Sequence, residues 1–220
     1  MALFNSAISG NLTRVRLLVG QLGMDPETSN AMGWTPLNLA ALSGHLDIVA
    51  YLVESGANIE TRQRWGQSPL GSAAINGHVN VVRFLMDHSP PANTSSRDSD
   101  GALPIHYASQ FGFVDCLKVM LEHGADVNAV ATINGWTPLH TAAAAGQAEA
   151  VELLLEWGAD AGARDRGGRR AVDLVGMTVA VTRRQYREIG CLLERRRCPG
   201  ASPAPEEASD GRHDNMMVSG

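Results

Sequence analysis

The stretch Gly135-Trp136-Thr137-Pro138-Leu139-His140 is the part of the sequence that decides the fold. Related segments occur earlier as Trp34-Thr35-Pro36-Leu37, Gln67-Ser68-Pro69-Leu70 and Ala102-Leu103-Pro104-Ile105. Successive prolines in the four segments are 33, 35 and 34 residues apart. A period in this range predicts a solenoid of stacked supersecondary units, which acts through its surface.

Each repeat of this segment has the features of a helix start. Thr137 stands where an N-cap is expected, and its hydroxyl can accept a hydrogen bond from a free backbone N–H. Pro138 follows at the first helical position, where its missing N–H has no cost. Gly146 ends this helix, and a second apolar helix runs from Ala150 to Gly158. Each unit is therefore predicted to be a helix, a tight turn and a second helix.

Recurring segments throughout the chain carry a resemblance to a known family. They are Gly33-Trp34-Thr35-Pro36-Leu37, Ser43-Gly44-His45-Leu46, Gly56-Ala57-Asn58, Gly77-His78-Val79, Gly124-Ala125-Asp126-Val127-Asn128, Gly135-Trp136-Thr137-Pro138-Leu139-His140 and Gly158-Ala159-Asp160. In this order, they resemble the ankyrin-repeat family across roughly residues 2–197. The resemblance implies an all-α solenoid of stacked helix-turn-helix units joined by β-hairpin-like turns.

We expect about six units, with atypical ones at both ends because terminal units cap a solenoid. Their approximate bounds are 1–29, 30–62, 63–97, 98–131, 132–164 and 165–197. The two prolines at 90 and 91 predict that residues 88–97 belong to the longest internal loop. Residues 198–220 lack periodicity and are predicted to form a disordered tail. The conformation of 177–182 stays open.

The charge is distributed unevenly along the chain. Residues 1–163 carry seven basic and 15 acidic side chains, whereas residues 164–197 carry ten basic and four acidic ones. An acidic body repels a phosphate backbone and gives no general support to nucleic-acid binding. The three cysteines show no C-x-x-C spacing, and no apolar run approaches the ~20 residues that span a bilayer. We therefore expect an intracellular protein, cytoplasmic or nuclear, that is monomeric.

The sequence offers no convincing catalytic or metal-binding pattern. His106 and His140 occupy a position where the resemblance implies hydrogen bonds within and between repeats, and no two histidines are three or four residues apart. The segment Asp98-Ser99-Asp100-Gly101 fits a hairpin turn better than a calcium loop, because the twelfth position is Ser109. There is no phosphate loop or nucleophile elbow. We expect no enzymatic activity, no metal and no cofactor.

The ankyrin resemblance implies a concave binding surface formed by hairpin tips and by the ends of the first helices. The candidate residues at the hairpins are Met32, Trp34, Arg64, Trp65, Gln67, Asp100, Ala102, Asn134 and Trp136. Those at the helix ends are Leu42, Ser43, Ile75, Asn76, Gln110, Phe111, Ala144 and Ala145. Tryptophan is enriched at binding hot spots, but the tryptophan after the glycine is also a common scaffold residue in this family. Trp65 precedes its glycine and is therefore the stronger candidate.

The function indicated by these features is protein–protein recognition, by an intracellular adaptor or inhibitor that binds a protein or peptide on the concave surface. One alternative is a substrate-recruiting subunit of a larger assembly, such as a ubiquitin ligase. Another is binding of nucleic acid or an anionic membrane through the arginine-rich helix predicted at about residues 183–197. Its candidate residues are Arg183, Arg184 and Arg187. A basic helix of this kind also suits the polar outer face of a solenoid cap.

Overall fold

The structure consists of paired helices in register with the sequence repeat. It is a computed structural model that describes residues 1–178 and 182–194. The helices are α1 (Ala2–Ile8), α2 (Leu12–Arg16), α3 (Pro36–Ser43), α4 (Leu46–Glu54), α5 (Pro69–Ile75), α6 (Val79–Asp87), α7 (Pro104–Phe111), α8 (Val114–Glu122), α9 (Pro138–Ala144), α10 (Ala148–Glu156) and α11 (Arg183–Leu193). A π-helical turn, Leu17–Gln21, continues α2, and a 3₁₀ turn, Ala171–Leu174, replaces the first helix of the last unit. Within the described ranges there is no strand and no helix long and apolar enough to cross a membrane.

The predicted helix starts are confirmed. The side chain of Thr137 accepts a hydrogen bond from the backbone N–H of His140 at 3.4 Å, and Thr35 and Ser68 cap α3 and α5 in the same way. Leu103 stands at the same position before α7 and has no hydroxyl. There the Nδ1 atom of His106 accepts the backbone N–H of Leu103 at 3.3 Å instead. Helices α3, α5, α7 and α9 therefore all begin one residue after their cap.

The helices form two layers, which differ in side-chain size. The inner layer contains α1, α3, α5, α7 and α9, which pack on one another through fully buried alanines such as Ala40, Ala73 and Ala142. The outer layer contains α2, α4, α6, α8, α10 and α11, whose buried residues are larger, as with Leu52 and Leu154. Small side chains allow inner helices to approach closely, and bulky ones hold outer helices apart. This difference curves the stack so that the inner layer is concave.

The glycine at the end of an inner helix allows the next unit to pack against it. Gly44 has φ +78°, and a Cβ atom there would lie 2.5 Å from Nδ1 of His78. The positive φ suits the end of a helix, as predicted from the sequence. The close approach is a second constraint, because the ring of the following unit occupies the space of a side chain. The same pairing joins Gly10 to His45, Gly77 to Phe113 and Gly112 to Gln147.

Buried histidines link neighbouring units by hydrogen bonds, as predicted. The Nε2 atom of His140 lies 3.1 Å from the carbonyl oxygen of Arg169, and that of His106 lies 3.0 Å from the carbonyl oxygen of Trp136. In both rings Nδ1 accepts a backbone N–H at the helix start, so the geometry assigns the Nε2–H tautomer. Each imidazole therefore caps its own helix and donates to the next unit.

The last unit departs from the regular pattern. The backbone N–H groups of Gly176 and Thr178 each donate at 3.1 Å, to the carbonyl oxygens of Ala143 and Ala144. The prediction that Ala144 and Ala145 lie on the exposed surface is therefore wrong: they are 0% and 6% exposed because residues 176–178 close this end of α9.

The final helix ends earlier than expected, at Leu193. Ile189 and Leu193 are buried as the helical spacing indicates, but Tyr186 is 55% exposed. Residues 179–181 and 195–220 lie outside the described ranges, and with them the three arginines at 195–197 and the predicted tail. The loop from 88 to 103 is the longest between two units among the described residues, as predicted.

The inner helix α3 offers a test of the histidine link. Asn38 occupies the position of His106 and His140, and its buried Nδ2 atom has no hydrogen-bond partner. In the variant Asn38→His, Nδ1 accepts from Thr35 while Nε2–H donates to the carbonyl oxygen of Gln67. We expect the free energy of unfolding to rise by about 1 kcal/mol in urea titrations followed by circular dichroism.

Asn38→Leu is the matched control, because it removes the unpaired amide without adding a donor to the next unit. A stabilisation of equal size in both variants would mean that loss of the unpaired group, and not the new link, is responsible.

Candidate functional site

The turns between units are hairpin-like and are held by the side chain of their first residue. In the fourth unit the backbone N–H of Asp98 donates to the carbonyl oxygen of Ala102 at 2.9 Å. The Oδ1 atom of Asp98 accepts the N–H groups of Asp100 and Ala102 at 2.9 and 2.8 Å. Asn30 and Asp165 play the same part in two other hairpins. The predicted turn at Asp98 is thus present, and its tip is fixed by hydrogen bonds.

Successive hairpins are joined into one edge by backbone hydrogen bonds. The N–H of Arg64 donates to the carbonyl oxygen of Met32 at 2.8 Å, and the N–H of Ser99 donates to that of Trp65 at 2.8 Å. Further along, the N–H of Arg166 donates to the carbonyl oxygen of Asn134 at 3.0 Å. The side chains on this edge are therefore presented from an ordered backbone, which reduces the entropy lost when a partner binds.

The hairpin of the fifth unit contains one extra residue and exposes two apolar side chains. Its closing hydrogen bond runs from the N–H of Ala131 to the carbonyl oxygen of Trp136, five residues later, whereas the bond at Asp98 spans four. Val130 is 49% and Ile133 is 60% exposed. Neither exposed side chain was predicted from the sequence. The prolines of α7 and α9 are 34 residues apart, and this spacing does not show which part of the unit contains the extra residue.

The structure brings the remaining candidate residues together along the hairpin edge and the adjoining ends of the inner helices. The exposed ones are Met32, Arg64, Trp65, Asn76, Asp100, Gln110, Phe111 and Asn134. The half-buried ones are Trp34, Leu42, Ser43, Gln67, Ile75, Ala102 and Trp136. The side-chain amide of Asn76 donates to the carbonyl oxygen of Leu42 at 2.7 Å. Asn76 therefore also links two units.

The tryptophans on this edge differ in how far they serve the scaffold. The indole N–H of Trp136 donates to the carboxylate of Asp165 at 3.2 Å, which attaches it to the next hairpin. Trp34 is half-buried and packs against the core. Trp65 is 49% exposed, and its hydrogen bonds to the described residues are made by its backbone. Trp65 therefore has the indole most available to a partner.

Asp165 holds the last hairpin through several donors. Burial raises the pKa of this carboxyl, but hydrogen bonds from the backbone and guanidinium of Arg169 and from the indole of Trp136 outweigh burial and lower the pKa to about 2. The guanidinium of Arg169 lies 2.8 Å from the carboxylate. Asp165 is therefore ionised at neutral pH and ties two neighbouring side chains together.

A small cavity of about 150 Å³ opens where the fourth and fifth units meet. It is lined by Ala102, His106, Tyr107, Gln110, Ala131, Asn134, Trp136, Thr141 and Thr178. The hydroxyl of Tyr107 donates to the carboxylate of Asp98, and burial lowers the pKa of His106. The cavity has room for one side chain of a partner, and its polar groups are amides, hydroxyls, the imidazole of His106 and the indole of Trp136.

The concave surface is uncharged in its helical part. Helices α3, α5, α7 and α9 contain no acidic or basic residue. The arginines of the alternative site, Arg183, Arg184 and Arg187, are exposed but belong to α11 in the outer layer. The structure therefore separates this basic helix from the hairpin edge.

The fold and this surface define a helical-repeat solenoid with a preformed edge and groove. A family model described as ankyrin repeats in three copies matches residues 1–63, 56–131 and 91–165. The chain belongs to the ankyrin-repeat family.

Two relatives share part of the sequence. The Notch-regulated ankyrin repeat-containing protein of Homo sapiens is 50% identical over 52 residues, which are 24% of this chain and 45% of that protein. Protein phosphatase 1 regulatory subunit 27 of Homo sapiens is 44% identical over 57 residues, or 26% of this chain and 36% of that protein. The matched regions thus span less than half the length of each relative.

Solved structures match more of the chain. The ankyrin repeat domain of Bcl-3 has a TM-score of 0.76 at 28% identity, covering 89% of this chain and 85% of that one. The ankyrin repeat protein EF0377 has a TM-score of 0.76 at 25% identity, covering 89% and 97%. The predicted all-α ankyrin solenoid is confirmed.

The buried imidazole of His106 predicts a dependence of stability on pH. Its pKa in the folded state is below the ordinary value of 6.5, so the unfolded chain binds more protons as the pH falls. The contribution of neutral His106 is present above pH 6.5 and is lost progressively below it. We expect the urea midpoint to fall between pH 7.5 and pH 5.0, and to fall less in the variant His106→Asn. Parallel curves for the two proteins would contradict this assignment.

Proposed function

We propose that this chain is a non-catalytic recognition module that binds a protein or peptide on its concave surface, as an intracellular adaptor or inhibitor. The observation that supports the proposal is a pair of adjoining features. The inner helices form an uncharged groove in which Phe111 is exposed, and the hairpin edge beside it exposes Trp65. Both features are held on a hydrogen-bonded frame. A rigid surface loses little conformational entropy on binding. Large aromatic side chains on such a frame are typical anchors of protein interfaces.

The polar groups of the cavity support recognition over catalysis. His106 uses both ring nitrogens in hydrogen bonds to the scaffold, and the hydroxyl of Tyr107 is donated to Asp98. A general base needs a free nitrogen within reach of the proton it removes, and His106 has none in this arrangement. These groups orient a partner's side chain but lack the freedom that proton transfer requires.

The relatives favour a regulatory role of the same kind. One of them is a regulatory subunit of protein phosphatase 1, and another is an ankyrin protein regulated by Notch. We extend to this chain only the general role of binding another protein. On this proposal the chain acts as a monomer in the cytoplasm or nucleus, and its six units follow the approximate bounds deduced from the sequence.

The proposal predicts that Trp65 and Phe111 carry binding energy. A partner is first identified by crosslinking in the native cell, and its affinity is then measured by isothermal titration calorimetry. We expect the double variant Trp65→Ala/Phe111→Ala to raise Kd by about 30-fold or more, because buried aromatic anchors at interfaces contribute about 2 kcal/mol or more.

Trp157→Ala is the matched control, because this indole is 43% exposed, similar to Trp65, but follows the outer helix α10. The affinity of Trp157→Ala for the partner should match that of the unmodified protein. The urea midpoints of both variants should also match that of the unmodified protein. Equal affinities for the double variant and the control would remove the concave surface as the site of this partner.

A further inference from the structure

Three arginines lie at equivalent positions just before the first residue of a hairpin and are held by backbone carbonyls. The guanidinium of Arg62 donates to the carbonyl oxygen of Arg97 at 3.0 Å, and that of Arg97 donates to the carbonyl oxygen of Val130 at 2.7 Å. The guanidinium of Arg164 donates to the carbonyl oxygen of Gly168 at 2.6 Å. Each side chain is ordered by a neutral acceptor and keeps its full positive charge.

Two further arginines, Arg64 and Arg166, lie two residues after Arg62 and Arg164. Arg64 and Arg166 are exposed, and their backbone N–H groups form part of the hydrogen bonds between hairpins. The guanidinium of Arg64 contacts the sulfur of Met32 at 4.0 Å. We refer to Arg62, Arg64, Arg97, Arg164 and Arg166 as the arginine edge.

No carboxylate in the described part of the chain lies within ion-pair distance of the arginine edge. Arg169 and Arg170, which do not belong to this edge, pair with Asp165 and Asp173. A guanidinium has five N–H donors, and each edge arginine uses at most two of them in hydrogen bonds to the described residues. Most of their donors are therefore free for a ligand.

The charge on the rest of the solenoid makes this edge distinct. The inner helices that adjoin it are uncharged, whereas α4, α6, α8 and α10 carry eight acidic and two basic residues. The helices at the two ends of the outer layer, α2 and α11, carry five basic residues and one acidic residue. An anionic partner is thus repelled by the four central outer helices and attracted to the arginine edge. Such an arrangement guides both association and orientation.

Apolar side chains lie in the same hairpins. Met32, Trp65 and Ile133 are 43%, 49% and 60% exposed. A nucleic acid offers phosphates but no aliphatic side chains to cover Met32 and Ile133. A peptide with both acidic and apolar side chains matches the two features at once.

We propose that the arginine edge is the binding site for an acidic segment of the protein partner, with apolar residues of that segment packed on Trp65 and Ile133. This inference rests on the proposed recognition function and specifies the chemistry of the partner. Carboxylates of the segment pair with free guanidinium donors, for which bidentate geometry is available.

The test begins with peptide selection and does not require the natural partner. A display library of random 12-residue peptides is selected against the full chain, and selected peptides are measured by fluorescence anisotropy. We expect the selected peptides to be enriched in Asp and Glu together with Leu, Ile or Phe. Their affinity should fall when salt is raised from about 50 to 300 mM, because exposed charge pairs are screened.

The variant Arg64→Gln/Arg166→Gln removes two edge charges whose side chains make no hydrogen bond to the scaffold carbonyls. We expect Kd to rise by about tenfold, which corresponds to about 1.4 kcal/mol for the two exposed pairs together. Arg83→Gln/Lys118→Gln, on the outer helices α6 and α8, is the matched control and should bind as the unmodified protein does.

The outcomes separate the two proposals. The selected peptides could be neutral, lose affinity for Trp65→Ala/Phe111→Ala and bind Arg64→Gln/Arg166→Gln normally. This result would overturn the acidic-segment proposal and leave the recognition function standing. Selected peptides that bind normally to Trp65→Ala/Phe111→Ala, or a selection that yields none, would count against both. Tighter binding of a 12-nucleotide DNA strand than of any acidic peptide would assign the edge to nucleic acid and overturn the proposal.

Discussion

The close approach of the inner helices is the constraint on which the rest of the structure depends. Alanine faces such as Ala40 and Ala73 allow that approach, and a glycine at each helix end leaves space for a ring or amide of the following unit. Because each unit touches mainly its neighbours, stability is the sum of similar local interfaces. The same packing fixes the curvature, and the curvature determines which residues face a partner.

The sequence was sufficient to predict the features that arise from local chemistry. A Thr-Pro pair such as Thr137-Pro138 starts a helix, and a glycine such as Gly44 ends one. The recurrence of these residues at a fixed period therefore predicts the stack of helices. Contacts between units were harder to predict. That Trp136 donates to Asp165, or that Arg62 donates to a carbonyl 35 residues away, depends on the hairpin geometry. A repeat pattern indicates equivalent positions but not which side chain uses them for the scaffold.

The candidate site was predicted in part for the same reason. The exposed positions at Trp65 and Phe111 follow from the register, whereas burial of Ala144 follows from the irregular last unit. Ile133 is exposed because one residue is added to its hairpin, and an added residue shifts every side chain after it within the turn. In a repeat protein the regular positions are thus the predictable ones, and the irregular positions decide how one member differs from another.

The hydrogen bonds from Gly176 and Thr178 to the end of α9 give the concave groove a wall. In earlier units the corresponding carbonyl groups accept hydrogen bonds from the following unit, as Leu42 does from His78 at 3.0 Å, so the groove continues. At the end of α9 the carbonyl groups accept hydrogen bonds from the backbone N–H groups of Gly176 and Thr178. Thr178 also lines the cavity beside Trp136. On the function proposed above, a segment that binds along the groove ends at this wall, which sets its position and limits the length of chain that the surface can recognise.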